Sequence, residues 1–176
     1  MAVTSGSRIH FEFMLGGGVP PVFTYQCHSD SSGWDWGALC HIDSSGQIGQ
    51  AATGALTTGQ LVYALEGITA CTADGSEEVS GILVTPNCVF SGVVAHATTA
   101  NAVVYSSQVG TCYEISSSAT VCPTTNVYVI DLAESGVPGC YIVANKDATG
   151  TAYGRNYFIF KGVYSSASPW ANPTTA

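Results

Sequence analysis

The 176-residue chain is predicted to be all-β, an antiparallel sandwich or barrel with extended N- and C-terminal arms and at most one or two short helices. Three observations carry that prediction. Short runs rich in β-branched and aromatic residues recur, turn residues separate them at short and fairly regular intervals, and helical periodicity is nearly absent.

The first run, Ile9-His10-Phe11-Glu12-Phe13, alternates so that Ile9, Phe11 and Phe13 fall on one strand face. Gly16-Gly17-Gly18 and Pro20-Pro21 then interrupt it, so residues 1–21 read as an N-terminal arm whose apolar side chains serve as assembly contacts. Residues 22–164 read as a β-rich body that can divide into two similar lobes. Its strand runs are Gln60–Tyr63, Gly81–Val84, Ala102–Tyr105, Asn126–Ile130, Cys140–Val143 and Tyr157–Phe160. Thr57–Leu65 offers a turn or two of helix, weakened by Gly59 and β-branched neighbours. Residues 165–176 read as an extended tail, with Pro169 and Pro173 among small residues and Trp170 as an anchor for a neighbouring surface.

A repeat dominates the early body: Cys27-His28-Ser29-Asp30-Ser31-Ser32-Gly33 returns as Cys40-His41-Ile42-Asp43-Ser44-Ser45-Gly46. Asp-x-x-Gly is turn chemistry, because the Asp side chain caps the turn and Gly accepts the exit conformation. Turns at Asp30–Gly33 and Asp43–Gly46 would bracket a strand from Trp34 to Ile42, the middle of a three-strand meander with Trp34, Trp36, Ala38, Cys40 and Ile42 on one face. Cys27 would oppose Trp36, and His28 would oppose Asp35. The repeated cysteines then stand roughly 13 Å apart along the ladder, too far for a mutual disulfide.

Strand parity also separates each Cys from the His that follows it, which argues against a zinc site built from the repeat. His28, Asp30, His41 and Asp43 can still meet as a surface cation site, but a solvent-facing His beside ordinary turn Asp residues is the expected reading. No metal or other cofactor is expected.

Charged residues make up 9% of the chain against about a quarter in ordinary globular proteins. Between Arg8 and Lys146 there is no Lys or Arg, while eleven of the twelve acidic residues lie there. Nothing in that span can neutralise phosphates, so nucleic acid and anionic membrane are excluded as partners. No apolar stretch approaches the ~20 residues of a membrane span, and the N-terminus carries no secretory signal pattern. A neutral, Ser/Thr-rich surface suits a protein packed against neighbours.

The seven cysteines are odd in number and sit uneasily with a reducing cytoplasm. Cys112 and Cys122 lie symmetrically about Ser117, so a hairpin would place them opposite each other for a cross-strand disulfide, with two buried thiols as the competing reading. Cys71 and Cys88 flank the Val79–Val84 run and form a second candidate pair. The elbow, phosphate-loop, dinucleotide and zinc-protease motifs are all absent, and an enzyme is not expected.

The segment from Ala55 to Pro86 carries Gly59 with Val62-Tyr63, then Thr69–Ala73, then Gly81–Val84. It resembles the small β domain of tailed-phage capsid decoration, or cement, proteins over about a third of the chain. Ala102–Tyr105 through Val127–Ile130 is similar to a looser second copy. The resemblance implies binding to an assembled shell, often as trimers, through an N-terminal arm and a β body, without catalysis. The expected function is therefore that of a virion structural protein, made in host cytoplasm and released in the particle, whose partners are a major capsid protein and other copies of itself. Its assembly contacts would be Ile9, Phe11, Phe13 and Trp170. An extracellular filament or adhesin subunit, binding carbohydrate through Trp34 and Trp36, is the alternative.

Overall fold

The computed structural model describes residues 9–29, 33–51, 60–116, 128–136 and 139–161. They form eleven strands: β1 (His10–Met14), β2 (Val22–Gln26), β3 (Leu39–Ile42), β4 (Ile48–Gln50), β5 (Leu61–Ala64), β6 (Glu78–Leu83), β7 (Cys88–Ala95), β8 (Cys112–Ser116), β9 (Val129–Ser135), β10 (Cys140–Asn145) and β11 (Arg155–Phe160). The helical content among these residues is two 3-10 turns, Thr99–Asn101 and Ser106–Gln108.

The larger sheet runs β1-β7-β11-β10-β8-β9, and a parallel pairing of Val94 with Ile130 and of Ala95 with Asp131 returns β9 to β7. The smaller runs β2-β6-β5-β3-β4, and a parallel bridge between Cys27 and Ile48 returns its last strand to the end of β2. Each sheet thus curls back on itself, which removes most of the exposed edge that an open sheet would carry.

Two cores follow from this arrangement. One lies between the sheets and takes Leu39, Leu61, Tyr63 and Ile82 from the smaller sheet together with Phe90, Ile130, Ile142 and Phe158 from the larger. The other lies within the smaller sheet and holds Cys27, Trp34, Cys40, Ile48, Val62, Cys71 and Val79. The period of two along a strand explains the division: Leu61 and Tyr63 of β5 face the larger sheet, whereas Val62 and Ala64 face the inner core. All four residues of β5 are therefore buried.

Phe90 is the hub of the first core, with the rings of Phe11, Tyr63, Phe158 and Phe160 at 5.1 to 6.0 Å. Each such pair adds about 0.5–1.5 kcal/mol beyond the area it buries. Two tyrosines stitch the sheets together through backbone oxygens. Tyr63 Oη donates to the Ile9 carbonyl at 3.1 Å, and Tyr128 Oη donates to the Ala51 carbonyl at 2.5 Å with the Leu39 carbonyl at 3.3 Å.

Several expected elements take other forms. The N-terminal run is no arm: β1 pairs with β7, and Ile9 is fully buried. Ala102–Tyr105 is not a strand, and only Val103 makes a bridge, to Ala152. β2 pairs with β6 over its whole length, so the first half of the expected meander does not form. Of the segment from Trp34 to Ile42 only β3 is strand, and it lies between β4 and β5. β7 was not expected at all, because its eight residues are buried on both faces and show no alternation.

Candidate functional site

The exposed apolar side chains are concentrated in one stretch of the chain. Among the described residues, five of the nine large hydrophobic side chains that remain exposed are Phe13, Leu15, Val19, Val22 and Phe23, at 46% to 87%. They belong to β1, β2 and the connection between them, and these two strands stand first in their respective sheets. From Phe13 to Gln26 the sequence has no charged residue. Sheet edges in proteins that stay monomeric are usually guarded by Lys, by Pro or by a covering segment. Here the guard is limited to Pro20 and Pro21, just before β2.

A bulge in β1 sets which side chains face outward. Phe11 pairs with Phe90 and Phe13 pairs with Val89, so two steps along β1 match one step along β7. Phe11 consequently packs on the core while Phe13 turns to the opposite face, where its ring meets Tyr157 at 6.0 Å. Of the four expected assembly contacts, Ile9 is buried at 0% exposure, Phe11 is partly buried against the core, Phe13 is exposed, and Trp170 lies outside the described residues. The simple alternation in the sequence could not reveal the bulge. Leu15, Val19, Val22 and Phe23 were missed as surface residues; the available signal was the charge-free span.

Glu12, the bulge residue, accepts hydrogen bonds from Ser91 Oγ at 2.5 Å and from Lys146 Nζ. Burial pushes its carboxyl up, but the hydrogen bonds from Lys146 and Ser91 and the charges of Lys146 and Arg155 hold it below the ordinary value. Ser91, Lys146 and Glu12 are within mutual reach, but Ser91 is fully buried and its hydroxyl is committed to Glu12, so it is no exposed nucleophile. The cluster fastens β1 to β7 and to the end of β10.

The second copy of the repeat is the turn it was expected to be. Asp43 Oδ1 accepts from the backbone of Ser45 at 2.8 Å and Gln47 at 2.9 Å, and Gly46 sits at φ +81°. In the first copy, Asp30, Ser31 and Ser32 lie outside the described residues. Gly33 is at φ +88°, and a Cβ there would stand 2.0 Å from the Thr69 carbonyl oxygen. Ser29 N–H donates to Asp74 Oδ1 at 2.8 Å, which ties the repeat to the β5–β6 connection.

His28 Nε2 stands 3.8 Å from Asp43 Oδ2, whereas His41 is half-buried on β3. Among the described residues no group of three or more His, Cys, Asp or Glu side chains is placed to hold a metal ion. Trp34, Ala38 and Cys40 share the inner core as expected, but Trp36 does not join them. A turn at Asp35–Gly37, with Gly37 at φ +81°, throws it outward to 49% exposure, and its ring lies 5.6 Å from His10. A paired Trp34–Trp36 platform for sugar rings is therefore not present.

The six described cysteines are all thiols. The expected partners Cys71 and Cys88 occupy different cores: Cys71 lies in the inner core, and Cys88 lies in the inter-sheet core with Met14 Sδ at 3.5 Å and Thr85 Oγ1 at 3.3 Å. The structure does not bring them together. Cys112 opposes Tyr141 on β10, and its carbonyl accepts from Gly136, so neighbours on both sides of β8 are β10 and the end of β9. Cys122 lies outside the described residues. The unexpected neighbours are Cys27 and Cys71.

Comparison with protein-family models, with curated proteins and with solved structures returns no match.

Proposed function

We propose that the chain is a non-enzymatic structural subunit of a virus particle, a cement or decoration protein that stabilises an assembled shell. The observation that carries this reading is the charge-free, apolar stretch from Phe13 to Phe23, in which Phe13, Leu15, Val19, Val22 and Phe23 are exposed. Burying such side chains yields about 25 cal/mol per Å² of apolar area, so a neighbouring subunit is the natural cover. Strand addition along β2 would supply main-chain hydrogen bonds as well. The scarcity of charge elsewhere supports the same reading, since few ions would have to be desolvated on packing.

The mechanism is mass action. A subunit that binds the assembled lattice but not its dissociated pieces stabilises the lattice by RT ln(1 + [L]/Kd), about 2.7 kcal/mol per site at a hundredfold excess over Kd. The test is electron microscopy of native material containing the chain. Density for the chain on closed shells supports the proposal. Its occurrence in filaments would favour the fibre or adhesin reading, and its occurrence as isolated units away from any particle would overturn both.

A further inference from the structure

We propose that Cys27 and Cys71 form a disulfide that locks the β5–β6 connection onto the end of β2. The two residues are 44 apart in sequence yet adjacent in the inner core, both essentially inaccessible at 0% and 2%. The Cys71 thiol donates to the Cys27 carbonyl oxygen at 3.3 Å, and the Cys27 thiol lies beside it with the His28 carbonyl oxygen at 3.4 Å. The local backbone is already fixed around the pair: Cys27 N–H donates to the Glu77 carbonyl and Gly75 N–H donates to the Cys27 carbonyl, each at 2.9 Å. The backbone thus already holds Cys27 and Cys71 side by side in one core, whereas Cys71 and Cys88 would have to leave separate cores.

Cys40 is also near, but it is held within β3 between two strands, and burial together with the neighbouring Cys27 pushes its thiol well up, away from the reactive thiolate. Cys71 differs. Burial raises it, but hydrogen bonds from Cys27, from Ser76 and from the backbone of Glu77 and Ser76 bring it below the ordinary thiol value. It also sits under an irregular connection in which Thr69, Ala70, Thr72, Ala73 and Asp74 are all exposed. A local opening of that connection would present Cys71 before any ladder is broken.

The oxidant is a small-molecule or protein disulfide. Cys71 thiolate attacks one sulfur and releases the first thiol, leaving a mixed disulfide. Cys27 thiolate then attacks the Cys71 sulfur and releases the second thiol. The two protons lost by the cysteines pass to the two released thiolates, and the two electrons reduce the oxidant. This step is independent of the assembly reading, although a particle that leaves a reducing cell would meet such an oxidant.

The test incubates the full chain with oxidised glutathione, quenches it with iodoacetamide under denaturing conditions without reductant, and maps chymotryptic peptides by mass spectrometry. Trypsin is unsuitable because the chain has four basic residues. A Cys27–Cys71 linked peptide, with Cys88 and Cys140 alkylated, is the expected result. Reduction should then lower Tm by roughly 5 to 15 °C. Cys40→Ser should retain the link, and Cys71→Ser should abolish both the link and the oxidation-dependent rise in Tm. Alkylation of both Cys27 and Cys71, a Cys27–Cys40 link, or glutathione retained on Cys71 without closure would overturn the proposal. So would stoichiometric zinc that blocks alkylation of the two thiols.

Discussion

At the scale of single residues, the two glycines that end the repeat show how one motif serves two environments. Gly33 and Gly46 both occupy the left-handed region, but a Cβ at Gly46 meets open space while one at Gly33 meets the backbone of Thr69 and Ile68. Gly46→Ala should therefore cost about 1–2 kcal/mol, the strain of a left-handed alanine, and Gly33→Ala clearly more, as read from urea denaturation midpoints. Charge behaves with equal dependence on place. Glu12 is held below its ordinary value, so its stabilisation is present above pH ~4.3 and is lost as pH falls through its folded pKa. Glu114 is raised, first by burial and then by Asp131 and Glu134, so its favourable contribution is present below pH ~4.3 and is lost as pH rises through its folded pKa. Glu12→Gln should destabilise by about 1 kcal/mol near pH 7 and become neutral in acid. Glu114→Gln should stabilise near pH 7 and also become neutral in acid. Urea titrations at pH 3.5 and 7 distinguish the two.

At the scale of elements, β7 is the organiser. One of its edges pairs with β11, and the other is shared by β1 at its start and β9 at its end. Phe90 projects from it into the aromatic hub, so Phe90→Ala should cost about 3–5 kcal/mol, measured by chemical denaturation. Gly92 lies on the same strand where an added Cβ would stand 3.1 Å from Phe158 and 3.3 Å from Ile130, which explains a glycine in a buried strand. β2 is the opposite kind of element, with four of its five residues exposed. Replacing Val22 and Phe23 by Lys should leave stability within about 0.5 kcal/mol yet prevent incorporation into the assembly, because a charge would then have to be buried at the contact. Sedimentation of particles mixed with the double variant would read the outcome. Co-sedimentation equal to that of the unmodified chain would count against β2 as the contact.

At the scale of the molecule, the two cores are not separate units. β3, β5 and β6 each send alternate side chains into both, so neither core can open without disturbing the other. Thermal unfolding should accordingly be one cooperative transition with calorimetric and van't Hoff enthalpies equal. Two resolved transitions would show that the smaller sheet folds by itself. β1 and β2 each stand first in a different sheet, so the apolar, charge-free stretch of sequence links outer strands of both sheets.

The sequence by itself determined the fold class, because alternation and turn chemistry are local: β5, β6, β10 and β11 stand where β-branched runs predicted them, and Asp43–Gly46 is the turn its residues specify. It determined the neutral surface too, since composition needs no coordinates. Pairing was decided only in three dimensions. The bulge at Glu12 reversed Phe13, the two edges of β8 went to β9 and β10, and β2 joined β6 in place of the segment between the two turns of the repeat. Such choices depend on which long-range partner best satisfies backbone hydrogen bonds and buries each face. The neighbourhood of Cys27 and Cys71 has the same origin, because only closure of the smaller sheet brings together residues that local pattern cannot relate.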